Sequence, residues 1–406
     1  MTSLLSHTLK WLMIALLVAL AAGGASAALL VTLDWATAWR EAHPWALALL
    51  PLVGFGVAWF YLKFGRSVEG GNNLLIDEVH QPNTMLPLRM SPMIFVATTL
   101  SHLFGASVGR EGTAVQMGGS LADQVGRPFG LAAHERRILL MCGISAGFGS
   151  VFGVPMAGAV FGFEVLAIGM LSYEAIFPCF VASFGADLVV RACGIQHGAY
   201  PIGFVPALGI VNLSKAIAAG AAFGTIGMLF SRCTHAIKSF FVRHVPYAPM
   251  RPFWGGVLII LSAFALGTTA YLGLSLAGIL QSFTGHVSPF DFAGKFAFTS
   301  VSLGAGFKGG EVTPLFYIGA TLGNAMAPLL ALPAPLLAGM GFVAVFAGAA
   351  NTPLASSFMA FELFGPQAGV FAGVACVASY LFSGNTGIYD SQKLGRRKYQ
   401  STDQKA

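Results

Sequence analysis

Glu111 is a carboxylate set among glycines in "GREGTAVQMGGS" (109–120), within a chain that is otherwise mostly apolar. The residues from Thr113 onward read as a helix start, and glycine ahead of a helix lets the backbone approach a ligand closely. A helix N-terminus offers unpaired N–H groups and about half a positive charge. With little water nearby, such an end, here including Gly112, can bind an anion. A carboxylate within hydrocarbon costs on the order of 2.5–3.5 kcal/mol on insertion scales. It is tolerated if it sits on those N–H groups in place of a ligand anion, or if it is protonated. A group that alternates between these states couples anion occupancy to a proton, so Glu111 is the candidate proton-coupled gate. Arg110 is expected to face an aqueous vestibule and concentrate anions. The competing role for Glu111 is a pair with Arg110 or Thr113 that only holds the helix; adjacency alone does not bring two helical side chains together.

The same chemistry recurs. "GGEVTPLFYIGA", from Gly309, sets Glu311 against Glu111 and Thr313 against Thr113 at an offset of 200. It supplies a second helix start, at Val312 and Thr313, and a second carboxylate. Glu311 is either an internal proton or anion-coordinating group or a partner of Lys308. "EGGNNLLIDEVH" (69–80) places Asn72 and Asn73 where a helix begins. An asparagine amide offers two N–H donors and no charge, or serves as an ordinary N-cap. "GNTGIYD" (384–390) delivers Tyr389 after the last apolar run. Its phenol could donate to an anion, or belong to an interfacial aromatic belt.

Other chemistries find less support. The nine histidines form no metal-ligand spacing, and no nucleophile–histidine arrangement accompanies the glutamates. No catalytic residue, metal or cofactor is expected, and the chain is not read as an enzyme; a membrane-embedded enzyme with Glu111 and Glu311 as an acid/base pair is the alternative from another class. "GAGFKG" (304–309) fits a dinucleotide fingerprint but lacks the preceding strand. The five cysteines are odd in number, lie mostly in apolar runs, and read as buried small hydrophobes.

The elements that must hold these residues follow from composition. Of 406 residues, 56% are hydrophobic and 9% charged, with mean hydropathy +0.74; a soluble domain carries about 25% charge. The chain is therefore an all-α polytopic membrane protein, since β-barrel alternation is absent. Trp11 to Leu33, Trp45 to Leu62, Gly255 to Leu280 and Leu336 to Ala350 approach or reach the roughly 20 apolar residues a span needs. "KWLMIALLVALAAGGASA" has the makings of a signal peptide, but the apolar run continues through "ALLVTL", so an uncleaved first helix is expected. The net charge is +6. Basic residues collect at Arg232, Lys238, Arg243 and Arg251, and at Lys393, Arg396, Arg397 and Lys398. No nucleic-acid motif accompanies them, and positive-inside topology puts both segments, with the C-terminus, in the cytoplasm.

The chain reads as two related halves. "GISAGFGSVFGVPMAGAVFGFEVL" (143–166) matches "GFVAVFAGAANTPLASSFMAFELF" (341–364) at an offset of 198, aligning Pro155 with Pro353 and Glu164 with Glu362. Residues 1–200 form a first transmembrane repeat, 201–390 a second, and 391–406 a short basic cytoplasmic tail. Internal repetition within a membrane is the signature of secondary transporters; the pattern leaves open whether the repeats are inverted.

These motifs together resemble the CLC family of anion channels and anion/proton antiporters. "GREGT" resembles that family's GREGP, "GGEVTP" stands where it has a G-x-F-x-P segment, and Tyr389 in "GIYD" matches its central tyrosine. The resemblance implies two inverted-topology repeats of tilted and broken helices, assembled as a homodimer in the lipid bilayer with one pore per subunit. It assigns Glu111 as the external gate and Asn72, Asn73, Gly112, Val312, Thr313 and Tyr389 as anion-binding residues. Because the chain ends soon after Tyr389, the regulatory domains of some relatives are not expected. The departures are similar to the fluoride/proton antiporter branch, CLC-F: asparagine near the position of the chloride branch's serine, Val165 at the internal proton glutamate with Glu164 preceding it, and Glu311 with Thr313 in the second motif. The implied function is fluoride export across a bacterial inner membrane, driven by the inward proton gradient. A chloride/proton antiporter or passive chloride channel of the same family is the alternative.

Overall fold

The computed structural model describes residues 2–398, with side chains from Leu4 onward. Positions 399–406 of the expected tail lie outside the described residues. Apolar composition and the absence of β alternation give helices almost throughout. The first half holds α1 (Thr2–Ala42), α2 (Leu50–Phe64), α3 (Asn72–His80), α4 (Met90–Leu103), α5 (Glu111–Gly126), α6 (Ala133–Phe152), α7 (Pro155–Glu164) and α8 (Ile176–Ala192). The second holds α9 (Ile210–His244), α10 (Met250–Leu266), α11 (Leu276–Thr284), α12 (Asp291–Ala305), α13 (Val312–Leu330), α14 (Ala334–Ala350) and α15 (Pro353–Phe382). Inside α15, Gly365 takes φ 77° and ψ 174° ahead of Pro366, which breaks it into two helices. Short strands β1 (Ala167–Ile168) and β2 (Lys393–Leu394) pair in parallel.

Among the described residues, five helical segments are long and apolar enough to cross a membrane. Others are not: α3 and α11 have nine residues each, roughly 14 Å at 1.5 Å per residue, half the hydrocarbon thickness. Neither can cross the hydrocarbon alone. The single span expected over Gly255 to Leu280 is corrected here. Helix α10 stops at Leu266, where Gly267 adopts φ 61°, and α11 starts only after Ser275. The intervening "TTAYLGLS" lets the backbone leave the helix. The cysteines also divide, with Cys142, Cys179 and Cys376 buried, Cys233 half-buried and Cys193 exposed.

The packing of one half recurs in the other. Helix α5 lies on α6 as α13 lies on α14, α4 on α5 as α12 on α13, and α1 on α8 as α9 on α15. Corresponding helices also touch each other, α2 with α10 and α7 with α15. That is the behaviour of elements about a two-fold axis, where a contact and its reciprocal coexist. The carboxylates show it atom by atom. Glu164 accepts from Leu354 N and Ala355 N (2.9 and 2.7 Å) at the start of α15, and Glu362 accepts from Met156 N and Ala157 N (2.8 Å each) at the start of α7. Phe148 and its counterpart Phe346 stack, centroids 5.9 Å apart. Close helix crossings rest on small residues, as membrane packing favours: a Cβ on Gly118 or Gly143, or on Gly319 or Gly341, would strike the facing backbone.

Candidate functional site

Gly109 and Gly310 exchange backbone hydrogen bonds, Gly109 N to Gly310 O at 2.5 Å and Gly310 N to Gly109 O at 2.8 Å. This antiparallel bridge sets the starts of α5 and α13 side by side. Helix α3 joins them: a Cβ on Gly112 would sit 2.9 Å from Asn72 Nδ2 and 3.1 Å from Gly310 Cα, so only glycine permits the approach. Three helix N-termini, those of Asn72, Glu111 and Val312, therefore converge. What fixes α3 was not foreseen from sequence. Arg136 of α6 reaches Glu78 of α3 at 2.9 Å and Asp123 of α5 at 2.7 Å, clamping three helices behind the junction.

The Glu111 carboxylate is fully buried and crosses to the other half. It accepts from Thr313 N (3.0 Å) and from Thr313 Oγ1 (2.6 and 2.7 Å to its two oxygens). A hydrogen bond to a charged group contributes about 1.5–3 kcal/mol, so one N–H and one O–H together offset the insertion cost of about 2.5–3.5 kcal/mol. The carboxylate thus occupies the N-terminus of α13 as a bound anion would. Arg110 does not simply face outward: its side chain is mostly buried, with Nε 3.6 Å from Glu111 Oε1. Thr113, the other partner considered, instead meets Thr98 Oγ1 at 2.7 Å.

Val312 is buried in the first turn of α13. Glu311, just ahead of it, has one buried carboxylate oxygen without a hydrogen-bond partner, and its carboxylate interacts with the Tyr389 hydroxyl. The Lys308 alternative does not form: the Lys308 ammonium lies 4.4 Å from the Tyr61 ring centroid, and among the described residues no ion pair joins it to Glu311. Asn72 likewise leaves its buried Oδ1 unpartnered. Asn73 has a different attachment, its Oδ1 accepting from Ser391 N at 3.2 Å, which ties α3 to the segment carrying Tyr389.

That segment is held at several further points. Ile388 N donates to Ala349 O (2.9 Å) at the end of α14. Gln392 Nε2 donates to Val165 O (2.9 Å) and Ala350 O (3.0 Å), while Asn351 Nδ2 donates to Gln392 Oε1 (2.9 Å). Gln392 and Asn351 were missed in the sequence; the one available signal was asparagine directly ahead of Thr352-Pro353, where it caps α14 at φ 57°.

Two spaces meet at Tyr389. One is a void of about 10 Å³ between Asn72 and Tyr389, otherwise lined by Val115, Ile144, Phe161, Val165 and neighbouring apolar side chains. That is close to the space one water occupies. The other is a vestibule of about 500 Å³ whose wall includes Glu311, Tyr389, Lys308, Lys238 and Asp390. The expected site residues Asn72, Gly112, Glu111, Thr313, Glu311 and Tyr389 thus gather around one junction, from which the vestibule leads outward.

Comparison with known proteins places this geometry. The family model described as voltage gated chloride channel matches residues 53–384. A chloride/fluoride channel protein of Pseudomonas syringae pv. tomato is 56% identical over 402 residues, 98% of this chain and 89% of that protein. An H(+)/Cl(-) exchange transporter ClcA of Yersinia pestis bv. Antiqua is 24% identical over 343 residues, 79% of this chain and 70% of its own length. Among solved structures, a CLC-type fluoride/proton antiporter superposes with TM-score 0.92 at 32% identity, covering 95% of this chain and 98% of that one. A slow cyanobacterial Cl−/H+ antiporter shares the fold, with TM-score 0.81 at 22% identity over 92% of this chain and 94% of that one.

Proposed function

The chain belongs to the CLC family of voltage gated chloride channels and their exchanger relatives, and from that premise we propose that it is a fluoride/proton antiporter. The observation that carries this is the Glu111 carboxylate seated on Thr313 N and Oγ1, an anion seat filled by a group that can also take up a proton. Ionised, Glu111 closes the junction. Protonated, it loses its hold on the α13 N–H and leaves the seat to an anion. Fluoride then moves between that seat, the Asn72–Tyr389 void and the vestibule. Glu311, when protonated, donates to the passing ion, and Tyr389 and the Asn72 amide add donors. The preference for fluoride is supported by the size of the void, by uncharged amide donors suited to a small, strongly hydrated anion, and by the likeness to a fluoride/proton antiporter.

In this reading the protein is a homodimer in a bacterial inner membrane, with vestibule and C-terminal segment facing the cytoplasm, and the proton gradient drives fluoride out. It needs no cofactor and performs no covalent chemistry. The test is efflux from liposomes holding the purified protein, following fluoride, chloride and external pH together. Fluoride efflux with counter-movement of protons, and little chloride efflux, is expected. Comparable coupled chloride movement would make chloride the substrate, and anion flux without protons would make the protein a channel.

A further inference from the structure

Lys308 has no part in the mechanism above, yet it stands on the vestibule wall three residues before Glu311. Its neighbour Phe307 is buried, donates its N–H to Ser302 O (3.1 Å), and packs against Gly54. The loop carrying Lys308 is therefore fixed. The ammonium lies over the Tyr61 ring, 4.4 Å from its centroid, and among the described residues it makes neither an ion pair nor a hydrogen bond. The vestibule's other basic residues are engaged: Lys238 and His235 share Asp390, each at 3.3 Å, and Arg251 gives Nε to Val245 O at 2.9 Å. Glu69, whose field reaches Lys308, is solvent-exposed and outside ion-pair distance. An aromatic face restrains an ammonium without neutralising it, whereas a carboxylate partner would cancel its field.

We propose that Lys308, oriented by Tyr61, is an anion-docking site in the vestibule, where a small hydrated anion is held before reaching Glu311 and Tyr389. The proposal rests on the transport reading above. A fixed positive charge in a cleft with low-dielectric walls concentrates anions and acts mainly on their capture. The charge is on a side chain at the wall, separate from the helix N-termini that serve the junction, so capture and coupling are carried by different groups.

The test uses the full-length protein in liposomes, with fluoride flux measured across fluoride concentrations and at low and high concentrations of an impermeant salt. Lys308→Gln is expected to raise the half-saturating fluoride concentration by about threefold to tenfold and to flatten its salt dependence. Maximal rate and fluoride-to-proton ratio should stay at wild-type values. Lys308→Arg should restore the wild-type concentration dependence, and Lys308→Glu should raise the half-saturating value further. Lys308→Met, which keeps the apolar stem, replaces the Gln variant if that one does not fold. An unchanged half-saturating concentration and salt dependence in a folded neutral variant overturns the proposal. So does a loss of maximal rate that Arg does not rescue, since that marks Lys308 as a support for the start of α13. Wild-type protein that carries chloride instead of fluoride defeats the fluoride reading alone; the same series is then read with chloride, because docking requires only a small anion. Wild-type protein that moves no anion defeats both.

Discussion

Glu111→Gln separates the two jobs given to one carboxylate. In the native seat, Thr313 supplies one N–H and one O–H, and Arg110 Nε stands 3.6 Å away. Hydrogen bonds to a charged group contribute about 1.5–3 kcal/mol, against about 0.5–1.5 for neutral pairs. Exchanging charge for amide therefore weakens two bonds by about 1–1.5 kcal/mol each, or 2–3 kcal/mol together. That corresponds to a roughly 30- to 150-fold fall in occupancy of the seat by the side chain. Fluoride then competes with a weaker rival, so its half-saturating concentration should fall, by at most that factor. Proton movement should vanish, because the amide cannot carry a proton. A fluoride electrode and a pH electrode in the same liposome suspension read both quantities. Fluoride-linked proton movement at the wild-type ratio would refute the reasoning, whatever happened to fluoride affinity.

Other substitutions test separate parts of the site. Asn72→Ser should lower the preference for fluoride over chloride, read as the ratio of their efflux rates; an unchanged ratio removes Asn72 from selectivity. Glu311→Gln should leave the protein folded but impair coupled fluoride transport. The exchange Glu311→Lys with Lys308→Glu should not restore it, since the native residues make no pair; restored flux would assign Glu311 a structural role. Glu362→Ala should destabilise the protein by about 2–3 kcal/mol by uncapping α7, seen as a lower thermal unfolding midpoint in detergent. Glu164→Ala should do the same to α15, and an unshifted midpoint in both would deny the caps any energetic role.

Much of this was legible in the sequence because polar residues are costly in an apolar chain. Glu111, Glu311 and the Asn72–Asn73 pair stand out for that reason, and their glycine surroundings announced helix ends. The Pro155/Pro353 and Glu164/Glu362 matches exposed the repeat. What each glutamate caps was not legible, because its partner lies about 190–206 residues away in the other half. The same holds for Glu111, whose seat is Thr313 and not the adjacent Thr113. Asn72 and Asn73 looked equivalent, and only the fold separates one at the junction from one bound to Ser391. Hydropathy merged α10 and α11 because a short irregular link between two apolar helices barely lowers a window average. Gln392 gave no signal, since a glutamine near a basic tail is chemically ordinary until two carbonyls are placed beside it.

The exchanged caps bear on how the protein is made. Glu164 is translated 190 residues before Leu354, whose amide donates to it together with that of Ala355. Helix α7 likewise waits for Glu362. A first half inserted alone therefore carries an unmatched acid at one end of α7 and an uncapped helix start at the other, and cannot reach its final form by itself. Each half is a condition for the maturation of its sibling. Until the later helices arrive, Glu164 must stay protonated or be shielded from lipid, by the insertion machinery or by water. Two copies of an ancestral half made as separate chains would have met the same demand by pairing with each other. Fusing them into one polypeptide turns that encounter into a folding step that does not depend on concentration.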